Sequence, residues 1–187
     1  PYLKEYNVKT IFIGGGTPSY IDGKYIVRII EFIRENYNCE WLEEITIEAN
    51  PGTLNKEKLL LYKEAGVNRI SLGVQTLEDR LLKSIGRLHT GRDVIENIHL
   101  LKELGFSNIN VDLMFGLPKQ RVEDCISTME TIVDLGVEHI SYYSLILEEG
   151  TPIYKWYEEG SIKLPDEDLD RKMYKEGVAF LKSRGYK

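Results

Sequence analysis

Three polar side chains lie at or near the ends of β-rich segments of the sequence, and a fourth lies in a break between two helical segments. The three are Glu48, Gln75 and Asp112, and the fourth is Arg87. A carboxylate can bind an ammonium group, a guanidinium can bind a carboxylate through two hydrogen bonds, and an amide can donate to and accept from sugar hydroxyls. Taken singly, Glu48 also fits a solvated charge and Arg87 a surface arginine at a helix end.

Asp112 is the most informative of these residues. It interrupts the apolar run Val111-Asp112-Leu113-Met114, within a segment that should form a buried strand. A buried carboxylate without a partner is costly, so Asp112 needs a partner in the protein or in a ligand. We therefore interpret Asp112 as a site residue.

A glycine-rich segment directly follows the first β-branched run. Gly14, Gly15 and Gly16 precede Thr17, and glycines let a backbone approach a ligand closely and offer its amides without side-chain obstruction. The spacing is not that of a dinucleotide-binding loop, because Ser19 stands where the third glycine would be, and no Gly-Lys-Ser follows as in a P-loop. Alone, the segment is equally compatible with a flexible turn between a strand and a helix.

Together these groups describe a pocket for a zwitterionic ligand that carries a ribose. The carboxylates suit an amine, the guanidinium suits a carboxylate, and the remaining polar groups suit hydroxyls. S-adenosylmethionine has this chemistry, and so does an aminoacyl nucleotide. The residues alone leave both ligands open.

The elements that must position these groups alternate between β-rich runs and segments of helical period. The predicted strands cover residues 10–13, 44–48, 69–73, 109–113 and 139–145. Before three of them the same phrase recurs: a helix end, a glycine (Gly66, Gly105 or Gly136), an apolar residue and a strand. Because each helix returns the chain to the same edge, the phrase predicts a parallel sheet with its strands in sequential order.

The distribution of polar groups favours a barrel over an open sheet. Several strands each contribute a polar group at one edge, as in TIM-type barrels, whereas an open doubly wound sheet gathers its ligand contacts in one crevice. We therefore expect an α/β fold with about five parallel strands curved like part of a barrel. Residues 1–187 are expected to form a single domain, since no linker or low-complexity segment divides them.

Composition excludes several classes of function. The net charge is -6 and no Lys/Arg cluster interrupts it, so the sequence offers no basic surface for nucleic-acid phosphates. No apolar stretch approaches the ~20 residues of a membrane span, and we expect a cytoplasmic protein. Cys39 and Cys125 are far apart, which gives neither a disulfide framework nor a metal-binding motif.

Five segments, in order and spacing, resemble the oxygen-independent coproporphyrinogen III oxidase family of radical SAM proteins, which also includes haem chaperones. They are residues 14–18 (GGGTP), 48–51 (EANP), 73–75 (GVQ), 86–90 (GRLHT) and 110–118 (NVDLMFGLP). The resemblance covers essentially the whole chain. It implies a partial TIM-type (β/α)6 barrel, of which this chain would be a fragment cut at both ends, lacking the first strand and the cluster loop, with residues 1–6 as the end of a helix.

The resemblance implies that S-adenosylmethionine is the ligand. Gly15, Gly16 and Thr17 would bind its methionine part, while Glu48 and Arg87 would hold its amino and carboxylate ends.

The resemblance also implies that Gln75 and Asp112 face the ribose and that Ile146 contacts adenine, through its backbone. The family uses a CxxxCxxC-type segment to bind a [4Fe–4S] cluster that cleaves S-adenosylmethionine reductively. This sequence contains no such segment. The chain by itself is therefore expected to be inactive.

Two functions of different classes exist within the family. One is a haem chaperone that delivers haem to a receiving protein, and the other is an oxidase that decarboxylates two propionates of coproporphyrinogen III. Residues 139–152 (HISYYSLILEEGTP) resemble the chaperone branch, from which the oxidase branch departs at Glu-Gly-Thr-Pro. We therefore favour the chaperone. A radical SAM enzyme that modifies tRNA is a remoter alternative, disfavoured by the acidic charge.

Overall fold

The computed structural model describes residues 6–187, which form an α/β fold around one parallel sheet. The sheet has five strands in the order β1-β2-β3-β4-β5, and every neighbouring pair is parallel. The strands are β1 (Thr10–Ile13), β2 (Glu44–Ala49), β3 (Arg69–Gln75), β4 (Ile109–Phe115) and β5 (His139–Ser144). The predicted parallel pairing in sequential order is confirmed. The helix end expected at residues 1–6 falls almost entirely outside the described residues.

Helices follow the strands, and most of them pack against one face of the sheet. They are α1 (Gly23–Asn36), α2 (Lys56–Glu64), α3 (Asp79–Ser84), α4 (Gly91–Glu103), α5 (Val122–Asp134), α6 (Pro152–Glu158) and α7 (Glu167–Ser183), with a 3-10 turn at Pro18–Tyr20. Gly66, Gly105 and Gly136 have φ angles of 91°, 76° and 67°, so each takes the left-handed conformation that ends a helix before the next strand.

The helix-facing side of the sheet is apolar. Alternate strand residues such as Ile47, Ile70, Leu72, Ile109 and Val111 are fully buried there. They belong to one core cluster with helix residues that include Ile26, Ile30, Leu59, Ile98 and Leu101. Burial of this apolar surface is the main favourable term in folding of such a domain.

The opposite, concave face of the sheet is polar. Successive side chains of a strand point to opposite faces, and this face receives Thr46 from β2, Ser71 from β3, and Asn110 and Asp112 from β4. Thr46, Ser71 and Asn110 are buried, and Asp112 is half-buried. The strands thus alternate between apolar and polar residues, although a parallel sheet covered on both faces usually has continuous apolar strands. The alternation fits a curved sheet with a polar interior.

Gly91 provides a test of the packing between α4 and the loop after β3. A Cβ at Gly91 would lie 2.3 Å from the backbone oxygen of Leu77. A Cβ at Gly23, likewise the first residue of its helix, would lie 3.3 Å from the side chains of Leu61 and Lys58. We expect Gly91→Ala to lower the free energy of unfolding by about 1–3 kcal/mol, the usual cost of overpacking.

The measurement is urea unfolding of the two alanine variants side by side. Gly23→Ala is the matched control, because flexible side chains can move away from its methyl group and alanine favours the helix. Equal stability of the two variants would contradict this account of the α4 packing.

Candidate functional site

A cavity of about 150 Å³ opens on the concave side of the sheet. Residues from the loop after β1, from β2 to β5 and from the turn between α3 and α4 line it. They are Gly16, Thr17, Pro18, Glu48, Ala49, Asn50, Ser71, Gly73, Gln75, Arg87, Asp112 and Tyr143. The structure thus brings together the acidic, basic and amide side chains that the sequence singled out.

The glycine-rich loop is held against Glu48. The backbone N–H of Gly15 donates to Glu48 Oε2 at 2.9 Å, and Gly15 and Gly16 have φ angles of 89° and 63°. A Cβ at Gly14 would lie 2.8 Å from Glu48 Cδ. The carboxylate therefore occupies space that any other residue at position 14 would fill, and the close approach requires glycine.

Arg87 reaches the cavity from the turn between α3 and α4. Its Nη1 donates to Asn50 Oδ1 at 3.0 Å, and its backbone N–H donates to Leu82 O at 2.9 Å. Burial lowers the pKa of Arg87 from its ordinary value, while Tyr143, when its phenol is ionised, and the Asp112 carboxylate act in the opposite direction. Arginine stays protonated in proteins. The guanidinium is therefore a partly desolvated cation in the cavity wall, where an anionic ligand group would be favourable.

His89 connects the turn between α3 and α4 to the sheet through a contact with β3. Its Nε2 lies 3.2 Å from Val74 O, and the side chain is 8% exposed. Burial lowers the pKa of His89, which favours the neutral form of the ring. The contact places Arg87, two residues earlier, above the end of β3.

Asp112 has a protein partner and also faces the cavity. Its Oδ1 accepts a hydrogen bond from Asn110 Nδ2 at 2.9 Å. The structure differs from the sequence-based expectation in two respects: Asp112 is half-buried rather than buried, and β4 continues to Phe115, so Asp112 is central in the strand. The reason is that its apolar neighbours Val111 and Leu113 face the helices while Asp112 faces the open concave side.

The side chain of Asn110 forms a closed network beneath Asp112. Its Nδ2 also donates to Ser71 Oγ at 2.8 Å, and its Oδ1 accepts from Ser141 Oγ at 3.1 Å and contacts His139 Nδ1. Asn110 is 2% exposed, so its amide lies away from solvent, although the His139 ring that it contacts is exposed. The amide thereby has a fixed orientation, with its NH₂ group toward Asp112.

Gln75 combines an unusual backbone with an unpaired acceptor. Its φ angle is 68°, and the register between β3 and β4 shifts between Leu72 and Gln75. The side chain is buried, and within residues 6–187 its Oε1 has no hydrogen-bond partner. A buried acceptor without a partner carries a desolvation cost that a ligand hydroxyl or amine would remove. Gln75 lines this cavity and also a smaller space beside Leu113 and Met114, so its amide stands in the wall of a cavity with mostly polar side chains.

Three polar lining residues were not among those assigned to the site from sequence: Asn50, Ser71 and Tyr143. Each follows the two-residue period of its strand, since Asn50 continues the series of Glu48, Ser71 that of Gln75, and Tyr143 that of Ser141. The same alternation could have indicated them. Ile146 is 77% exposed beyond β5, outside the residues that line the cavity.

The described part of the chain contains no group of three or more His, Cys, Asp or Glu side chains that could hold a metal ion. Cys125 is buried in α5, where burial raises the pKa of its thiol to about 11. Among residues 6–187 there is also no helix with the length and apolar character needed to cross a membrane.

Comparison with known proteins identifies the class. The sequence profile of the Radical SAM superfamily matches residues 2–132. The chain belongs to the radical SAM superfamily.

More specific similarity is to haem chaperones. The chain is 42% identical over 179 residues to the haem chaperone HemW of Lactococcus lactis, which covers 96% of this chain and 47% of that protein. It is 41% identical over 180 residues to HemW of Bacillus subtilis, with coverage of 96% and 48%. The chain thus spans about half the length of the curated relatives it matches. The expected resemblance to the chaperone branch is confirmed.

Solved structures confirm the fold. The coproporphyrinogen III oxidase HemN of Escherichia coli, a radical SAM enzyme, superposes with a TM-score of 0.84 at 28% identity, covering 97% of this chain and 42% of that one. The archaeal Elp3 of Methanocaldococcus infernus gives a TM-score of 0.75 at 24% identity and supports the fold alone. The predicted radical SAM partial barrel is correct.

Mutation of Asn110 tests the hydrogen-bond network beneath Asp112. We expect Asn110→Ala to lower the free energy of unfolding by about 1–3 kcal/mol, because it removes several hydrogen bonds at once and leaves the buried Ser71 hydroxyl without its partner. Ser71→Ala is the control, since it removes only one of these hydrogen bonds and should cost about 0.5–1.5 kcal/mol. Denaturant unfolding of both variants measures the difference, and an Asn110→Ala protein as stable as Ser71→Ala would refute the network.

Proposed function

We propose that the cavity binds S-adenosylmethionine and that the chain is part of the radical SAM core of a haem chaperone. The proposal of this ligand rests on the meeting of Glu48, Arg87 and Asp112 in one cavity that is also lined by Gln75, whose Oε1 has no hydrogen-bond partner among the described residues. This set offers an anion, a cation and hydrogen-bonding groups, as a zwitterion with a ribose requires. Membership of the radical SAM superfamily selects S-adenosylmethionine over an aminoacyl nucleotide.

The proposal assigns each side chain a part of the ligand. Glu48 would accept from the amino group, and Arg87 would donate to the carboxylate in a charge-assisted pair. Gln75 and Asp112 would accept from ribose hydroxyls, and the amides of the glycine-rich loop would face the methionine moiety. The exposed backbone after β5 at Ile146 would be available to adenine.

A [4Fe–4S] cluster is the cofactor that the superfamily implies. When bound, it supplies the electron that cleaves S-adenosylmethionine. The described residues contain only the two separate thiols Cys39 and Cys125 and cannot hold a cluster that needs three thiolates. We therefore derive no step through it, and assign to this chain only the binding and orientation of S-adenosylmethionine.

The chaperone assignment rests on the similarity to HemW proteins over 96% of the chain. It implies haem as a further ligand, a receiving protein as partner, and a cytoplasmic location. The second candidate is the oxygen-independent coproporphyrinogen III oxidase, which the TM-score of 0.84 to HemN favours. The two candidates differ in whether coproporphyrinogen III is converted.

Replacement of Asp112 tests the ligand. We expect Asp112→Ala in the full-length holoprotein to weaken S-adenosylmethionine binding by about 1–3 kcal/mol, because ribose hydroxyls lose a half-buried acceptor. Isothermal titration calorimetry under anaerobic conditions measures the affinity. Asp134→Ala, at the exposed end of α5, is the control and should bind as the wild type does. Unchanged affinity in Asp112→Ala would exclude this residue from the site.

Haem binding tests the choice between the two functions. We expect the reconstituted full-length protein to bind haem stoichiometrically, as followed by its absorption spectrum, and to leave coproporphyrinogen III unchanged. Mass spectrometry that detects protoporphyrinogen IX, formed only when S-adenosylmethionine is present, would instead establish the oxidase.

A further inference from the structure

We propose that Asn50 is a positioning residue that holds the Arg87 guanidinium ready for a ligand carboxylate. The inference rests on the proposed binding of S-adenosylmethionine in the cavity and adds a residue that acts through another one. It is based on the hydrogen bonds made by the oxygen and the nitrogen of the Asn50 side-chain amide.

The Asn50 amide joins two parts of the cavity wall. Its Oδ1 accepts from Arg87 Nη1 at 3.0 Å, and its Nδ2 donates to Thr17 Oγ1 at 3.0 Å. The guanidinium can only donate, so the oxygen of the amide must face it. Asn50 therefore has a single productive orientation, which links the glycine-rich loop to the arginine.

The backbone of Asn50 is fixed independently of Arg87. Its N–H donates to Ser19 Oγ at 3.2 Å, and its carbonyl accepts from Thr53 Oγ1 at 2.6 Å. Ser19 Oγ and Thr53 Oγ1 are themselves 2.6 Å apart. On the other side, a Cβ at Gly73 would lie 2.8 Å from Asn50 Oδ1, so β3 leaves the space that the amide fills.

A neutral acceptor suits this task better than a charged one. Arginine has a long side chain that loses rotamer freedom when it is ordered. Because Asn50 already orders Arg87 in the unliganded protein, ligand binding costs less of this entropy. A carboxylate at position 50 would order Arg87 equally well but would neutralise it and compete with the ligand carboxylate. An amide orders the cation and leaves its charge available.

This reasoning separates a positioning role from a merely structural one. Asn50→Asp is nearly isosteric, so a structural role makes it milder than Asn50→Ala. A positioning role predicts that Asn50→Ala weakens S-adenosylmethionine binding by about tenfold and that Asn50→Asp weakens it at least as much. Binding of 5′-methylthioadenosine, which lacks the amino-acid part of the ligand, should stay within about twofold of wild type in both variants.

The experiment measures both affinities by calorimetry or competition in the full-length holoprotein, with thermal unfolding of each variant alongside. Asn36→Asp is the matched control, because it introduces the same charge at an exposed position at the end of α1, and it should leave S-adenosylmethionine affinity unchanged. In an Arg87→Ala background, Asn50→Asp should have no further effect on that affinity, since the residue through which it acts is gone.

The outcomes separate the inference from the proposed function. Unchanged S-adenosylmethionine affinity in Asn50→Asp, or equal losses for both ligands, would overturn the positioning role while the proposed function stands. A wild-type holoprotein that binds neither S-adenosylmethionine nor 5′-methylthioadenosine would overturn the proposed function, and the inference with it.

Discussion

The structure depends on hydrogen bonds between the polar side chains that the parallel strands place on the concave face of the sheet. Asn110 on β4 lies opposite Ser71 on β3 and opposite His139 on β5, and its amide bonds to both neighbours. An unpaired buried amide costs about 1–3 kcal/mol per group. A slip of one residue would move Asn110 to the apolar helix side, so the network also fixes the strand register.

The concave face has two levels with different chemistry. At the lower level the hydrogen bonds of Asn110 are made within the protein, which leaves its amide no freedom to turn. At the upper level the groups keep unused capacity: Gln75 Oε1 is unpaired in the described residues, and Arg87 has donors beyond the one that Asn50 accepts. A preorganised polar site needs rigid supporting side chains and free hydrogen-bonding groups that face the ligand. Because the side chains are already ordered, ligand binding then costs little conformational entropy.

Much of this arrangement could be predicted from sequence, because it depends on local patterns. Predicted and observed strand ends differ by two residues or fewer. β3 is longer than expected because Gly73 suggested an end, whereas it makes room for Asn50 within the strand. The hydrogen-bond partners of Asp112 and Arg87 could not be predicted, because they depend on register and on side-chain direction across three strands. The partial exposure of Asp112 could have been predicted, since Asn110 and Asp112 alternate with the apolar residues Ile109, Val111 and Leu113.

Gln75 shows how the fold supports a locally unfavourable conformation. A non-glycine residue with φ of 68° costs about 1–2 kcal/mol, and such a cost persists only where the surroundings determine the backbone. Here they do: Val74 O accepts from Thr76 N–H at 2.9 Å and meets His89 Nε2 at 3.2 Å, and the register shift against β4 falls at the same point. Gln75 therefore has both a strained backbone and an unpaired side-chain acceptor, and both raise the free energy of the folded chain. Because neither cost stabilises the unliganded chain, their coincidence in the cavity wall favours binding as the reason that Gln75 is held there.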